Sequence, residues 1–119
     1  MAKYVDGFVV PVPKTKLAAY RKMSAKAGKI WMEHGALQYV ECAADDLKIK
    51  GVASFEKLLK LKPGETVVFS WISYKSKAQR NTVNKKAMTD PRMANFDPSS
   101  CPFDVKRMLM GGFKTIVDK

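Results

Sequence analysis

The stretch MEHGALQYVEC, from Met32 to Cys42, gathers the chain's one histidine, two glutamates and one of its two cysteines. Asp45 and Asp46 follow directly. Imidazole, thiolate and carboxylate can ligate a metal, and the same groups can transfer protons. A zinc site needs ligands at converging spacings such as H-x-x-x-H, C-x-x-C or H-E-x-x-H, and the chain contains none of these. No Gly-rich loop opens a helical segment, and no redox-cofactor motif is present. The sequence therefore predicts no metal and no cofactor.

Most of the cluster dissolves once its elements are drawn. Tyr4 to Val10 (YVDGFVV) is rich in β-branched and aromatic residues and reads as a strand closed by Pro11 and Pro13. A helix follows to about His34. At about 100° per residue, Leu17, Tyr20, Met23, Ala27, Ile30, Trp31 and His34 share one arc. Lys14, Arg21, Lys22, Lys26, Lys29 and Glu33 share the opposite one, so the helix has an apolar stripe and a basic back. Gly35 ends it. His34 thus packs in the last turn, where an imidazolium also suits the helix dipole. Glu33 points to solvent and does not converge with it.

Ala36 to Cys42 alternates as a second strand, with Cys42 placed under the helices as an inert buried thiol and the two aspartates in the turn beyond. The segment to Gly64 is less regular, with a short helix in SFEKLLKL and a turn at Lys62–Glu65. Thr66 to Tyr74 is the strongest strand. Ser76 and Gln79 fit a capping box for a helix that ends near Asp90, before Pro91. A Pro/Ser-rich loop over 97–104 leads to a last strand, Arg107 to Phe113. The order is β-α-β-β-α-β, an α+β ferredoxin-like arrangement with an antiparallel sheet and both helices on one face. The 119 residues form one such domain, 1–119, with no repeat, low-complexity tract or linker.

Alternation then sorts the strand residues. Val5, Gly7, Val9, Val40, Cys42, Val68, Ser70 and Ile72, small or β-branched, are expected under the helices. Tyr4, Asp6, Phe8, Tyr39, Glu41, Val67, Phe69 and Trp71 are expected on the other face. Met108 and Met110, or their neighbours, join them from the last strand, whose phase the pattern does not fix. A face this aromatic calls for a cover, either a second subunit or a ligand. Two sheets packed face to face supply both and leave a cleft. Tyr4, Phe8, Tyr39, Phe69, Trp71 and Met108 would line it. Asp6 and Glu41 would enter it as carboxylates that must be hydrogen-bonded, paired or protonated, which makes them the candidate catalytic acid and base.

With 46% apolar residues and no run near the roughly 20 needed to span a bilayer, the chain reads as a folded protein without a membrane segment. Its first residues lack signal-peptide architecture, so the cytoplasm is the expected compartment, with both thiols reduced. The net charge of +11 raises a rival reading, an RNA or polyanion module acting through Lys22, Lys26 and Lys29. RNA-recognition modules share this strand order and stack bases on sheet aromatics. Against that, TVVFSWISY lacks their Lys/Arg-Gly-aromatic pattern, and the basic stripe lies away from the aromatic face.

Five stretches, YVDGFVVPVPK, HGALQYVEC, ETVVFSWISYKSKAQR, MTDPRM and PFDVKRMLMGGF, together resemble the YbaA-type family of small bacterial proteins, a domain family of unknown function. The resemblance spans nearly the whole chain. The high basic charge and the segment FDPSSCPFD depart from the family pattern. What the resemblance implies is the dimeric α/β-barrel superfamily, in which ferredoxin-like subunits pair sheet to sheet. That superfamily includes cofactor-independent monooxygenases, haem-handling enzymes and ligand-binding regulators. The expected function is accordingly a homodimer binding an unknown small molecule, with a cofactor-independent reaction in the cleft left open. The alternatives are the polyanion module and a structural or regulatory dimer without catalysis.

Overall fold

The β-branched and aromatic runs become strands, and the two periodic segments become the long helices. The computed structural model describes residues 3–119. Its order is β1 (Tyr4–Pro13), α1 (Leu17–Glu33), β2 (Gln38–Ala43), α2 (Phe55–Leu58), β3 (Glu65–Tyr74), α3 (Lys77–Thr89), α4 (Pro91–Ala94) and β4 (Leu109–Lys114). The strands lie in the order β2-β3-β1-β4, and every neighbouring pair is antiparallel. This is the ferredoxin-like arrangement.

Local chemistry sets the element ends. Gly35, at φ +115°, follows the last turn of α1. Ser76 Oγ accepts the Gln79 amide at 3.0 Å at the start of α3, while Gln79 Oε1 reaches back to the Lys75 amide at 2.6 Å. Asp90 ends α3 and caps α4, accepting the Arg92 amide at 2.9 Å. Arg107, expected in the last strand, instead lies in a 3-10 turn before β4. Its guanidinium pairs with Glu65 at 2.6 Å, fastening that turn to the start of β3.

The register decides which residues share a face, because directly paired residues on antiparallel strands point the same way. Phe8 pairs with Ser70 and Asp6 with Ile72; Glu41 pairs with Ser70 and Tyr39 with Ile72. Both cores lie on the helix side. One joins Val10, Val12, Tyr20 and Val68, with Met23, Phe103 and Met108 packed against them. The other joins Ala36, Ile72, Tyr74 and Val83, with Tyr4, Phe8, Trp31 and Tyr39 against them. Asn84 on α3 links the layers, accepting from Trp31 Nε1 at 3.0 Å and from the Tyr74 hydroxyl at 3.2 Å.

The expected phase thus holds for β3 and is inverted for β1 and β2. Tyr4, Asp6, Phe8, Tyr39 and Glu41 lie under the helices, and Met108 packs on the same side. Val5, Gly7, Val9, Val40 and Cys42 pair with Ser73, Trp71 and Phe69 on the opposite face. Cys42 is exposed there rather than buried. The reason is physical: both alternating sets in β1 and β2 hold apolar residues, so alternation alone carries no sign. The helices also supply partners for the two acids, which removes the cost of placing them inside.

The face away from the helices remains apolar, with a partly different set of residues. Phe69, Trp71, Val9, Val40, Leu109 and Phe113 share it by register. Phe69 is 46% exposed, Leu109 57% and Phe113 62%.

Candidate functional site

The site grows from two spacings. On α1, Tyr20, Ser24 and Gly28 recur every four residues and form a narrow stripe facing the sheet. On β2, Tyr39 and Glu41 stand two apart and face that stripe. The Tyr20 hydroxyl donates to Glu41 Oε1 at 2.8 Å. Ser24 Oγ donates to Glu41 Oε2. The Tyr39 hydroxyl lies 3.0 Å from Ser24 Oγ and 3.4 Å from Glu41 Oε2. Gly28 makes this approach feasible: a Cβ there would sit 2.8 Å from Tyr39 Cδ1.

Among the described residues no Lys, Arg or His pairs with Glu41. Hydroxyls alone satisfy this carboxylate. Burial, and then the adjacent Glu41, push the Tyr20 phenol well above its ordinary range. Tyr39 is pushed up to about 12, chiefly by burial, with the Ser24 bond opposing. Both phenols therefore stay protonated near neutral pH and serve Glu41 as donors.

The same four side chains wall two recesses. An outer groove of about 470 Å³ runs between α1 and β2, past Leu17, Arg21 and Cys42. An inner cavity of about 250 Å³ lies between α1 and the sheet, reaching Phe8, Trp31, Phe103 and three methionines. A carboxylate at the boundary of an apolar cavity, held by hydroxyls that can relay protons, can orient a ligand or act as a general base.

Asp6, the other expected acid, is placed differently. It is 2% exposed and pairs with Arg80 Nε at 3.1 Å. Arg80 also donates to the Tyr4 hydroxyl at 3.2 Å and stacks over the Tyr4 ring, 5.0 Å from its centre. Asp6 and Glu41 share a face but sit in separate networks, and only Glu41 lines the two recesses. Of the six residues expected to line a ligand cleft, Phe8, Tyr39 and Met108 line the inner cavity from the helix side, Phe69 and Trp71 belong by register to the open face, with Trp71 also bordering the cavity, and Tyr4 joins Arg80.

His34 has the packing role read for it. Its Nε2 lies 2.9 Å from Asp90 Oδ2, and Arg92 bridges Asp90 and Glu33. The Arg92 bonds, followed by the one from His34, hold the Asp90 carboxyl well below the usual carboxylate range. Lys22, Lys26 and Lys29 are exposed on the outer side of α1. No group of three or more potential metal ligands occurs among the described residues, and none of their helices is long and apolar enough to cross a membrane.

Comparison with known proteins fits this architecture. A family model described as "Protein of unknown function (DUF1428)" matches residues 3–105. The chain belongs to the DUF1428 family. The uncharacterized protein YbaA of Escherichia coli strain K12 is 52% identical over 117 residues, covering 98% of this chain and 99% of that one. YbaA of Shigella flexneri gives the same figures. The YbaA-type resemblance in the sequence is therefore a family relationship. Among solved structures, a dimeric ferredoxin-like protein from an uncultured marine organism superposes with a TM-score of 0.63 over all of both chains at 11% identity. An uncharacterized NIPSNAP domain protein from Burkholderia xenovorans gives a TM-score of 0.56 at 12% identity, covering 95% of this chain and 94% of that one. At these identities the likeness concerns the DUF1428 chain's fold alone.

Sequence reasoning missed Ser24 and Gly28, which lie within and beside the apolar arc of α1 but are not themselves large apolar residues. The detectable signal was small residues four apart in line with Tyr20. Small side chains on a helix mark where another ring or backbone comes close.

Proposed function

We propose that this DUF1428 chain acts as a homodimer, one ferredoxin-like unit per subunit, that binds a small molecule between its sheet and α1. Glu41 orients the ligand and is the group able to exchange a proton with it. The observation that carries this reading is a carboxylate that, among the described residues, is satisfied only by hydroxyls, on the wall of an apolar cavity. A purely structural acid in such a place normally takes a cation, as Asp6 does with Arg80. The ligand cavity is therefore assigned to the helix side of each subunit, and Asp6 to holding α3 on β1.

The open face supports the dimer. Phe69, Trp71, Leu109 and Phe113 form an apolar surface of the kind that marks an interface. The similar marine protein is described as dimeric. Pairing through this face leaves the Glu41 recesses on the far side of each sheet.

Native mass spectrometry of gently purified protein tests both parts. The expected result is a dimer carrying a small non-covalent adduct that is lost in Glu41→Gln. A bare species at every stage of purification, with no small molecule in the denatured extract, would overturn the binding assignment.

A further inference from the structure

We propose that the molecule taken by the inner cavity has an aromatic body carrying a hydroxyl or amino donor, and that this donor bonds Glu41 in the position Tyr39 now holds. This rests on the assignment of the cavity as a binding site and adds the ligand's chemistry.

The cavity's body selects the ligand's body. The cavity lining includes the aromatic residues Phe8, Trp31 and Phe103 and the methionines Met23, Met93 and Met108. Aromatic rings and methionine sulfur both pack favourably against an aromatic guest. The volume of about 250 Å³ matches roughly eight waters at about 30 Å³ each, which suits one or two fused rings.

The polar end is one wall, and its bonding is uneven. A carboxylate offers about four acceptor sites. Tyr20 and Ser24 hold two of them closely. The Tyr39 bond to Oε2, at 3.4 Å, is longer than a well-made O–H···O bond. Tyr39 keeps a better partner in Ser24 Oγ, at 3.0 Å, if a guest displaces it from Glu41. The third acceptor site is therefore available without leaving a protein hydroxyl unpaired.

Charge sets the exclusion. No Lys or Arg lines the inner cavity. An anionic guest would face Glu41 with no counter-charge in the lining of that cavity, and a guest with only acceptors would leave the carboxylate's site empty while burying its own oxygen. A hydroxyl or amino group meets neither obstacle.

A matched set of naphthalene probes, read through ¹³C-labelled methionine methyls, tests this. 2-Naphthol and 2-naphthylmethylamine carry donors; 2-methoxynaphthalene and 2-naphthoate do not. Met23, Met93 and Met108 report the cavity, while Met32 and Met88, which are exposed, report non-specific contact. The expected result is that a donor probe shifts the three cavity methyls, with the ether and the carboxylate at least about tenfold weaker. Binding by naphthol alone would mark hydroxyl ligands, and binding by the amine alone would mark amino ligands. In Glu41→Gln, whose amide also donates, the preference for the donor probes should collapse. Equal binding of all four probes at those methyls would overturn the donor rule and leave the cavity a binding site. Failure of every probe to shift them would overturn both. The unmutated protein decides between these outcomes even if Glu41→Gln does not fold.

Discussion

Gly28 shows how closely the site depends on single atoms. Alanine would gain up to about 1 kcal/mol of helix propensity over glycine. Its methyl carbon, however, would lie 2.8 Å from Tyr39 Cδ1, inside any real contact distance. Overpacking of this kind costs about 1–3 kcal/mol, so after the helix-propensity gain Gly28→Ala is expected to lower stability by up to about 2 kcal/mol in urea denaturation. A rise in stability would show that Tyr39 can leave α1 freely. The phenols make a second prediction. Tyr20, Tyr39 and Tyr74 all have raised pKa values, burial being the largest cause in each. The unfolded chain releases these protons near pH 10 while the folded chain keeps them, so the folded state binds more protons and stability falls as pH rises. The contribution is fully present below about pH 10 and is lost upward, through about 12 for Tyr39. Lysine deprotonation acts in the same window, so the comparison with Tyr39→Phe isolates the effect. The loss of denaturation free energy between pH 9 and pH 11 should be smaller in the variant.

At the element scale, α3 is the helix most dependent on its ends. It buries only Val83 and Ala87. The Ser76 cap and the Gln79 bonds to Lys75 and to the Gly35 carbonyl, at 2.9 Å, therefore matter. Ser76→Ala should cost about 1 kcal/mol, with faster amide exchange over the first turn of α3. Unchanged exchange there would mean that packing alone holds the helix. The capping pair was legible in the sequence because it is local. So was the apolar arc of α1: Tyr20 and Ile30 are buried, and Lys22, Lys26 and Lys29 are exposed. The start of β4 was not legible, because what removes Arg107 from the strand is Glu65, 42 residues away.

For the whole molecule, the decisive surface is the open face of the sheet. Phe69 and Phe113 stand on it at 46% and 62% exposure. If it is the dimer contact, replacing both with lysine should convert a dimer to a monomer in sedimentation velocity. Because the Glu41 cavity lies on the opposite face, the melting curve of the resulting monomer should stay cooperative. A variant that remains dimeric would move the contact to another surface.

Sequence alone determined the four strands and two long helices, their order, the ferredoxin-like arrangement and the family, because these rest on local periodicity, turn chemistry and motif identity. It also offered Asp6 and Glu41 together as candidate acids and predicted that one sheet face would remain apolar. Only the tertiary structure decided which face that is. In β1 and β2 both alternating sets could pass for a core, and a shift of one position moves every side chain to the other side. Pairing with β3 fixed the phase, and distant partners fixed the acids: Arg80, 74 residues from Asp6, and Tyr20 and Ser24, 21 and 17 residues from Glu41. A carboxylate's role follows from the group that reaches it across the fold, and that is not written in the strand that carries it.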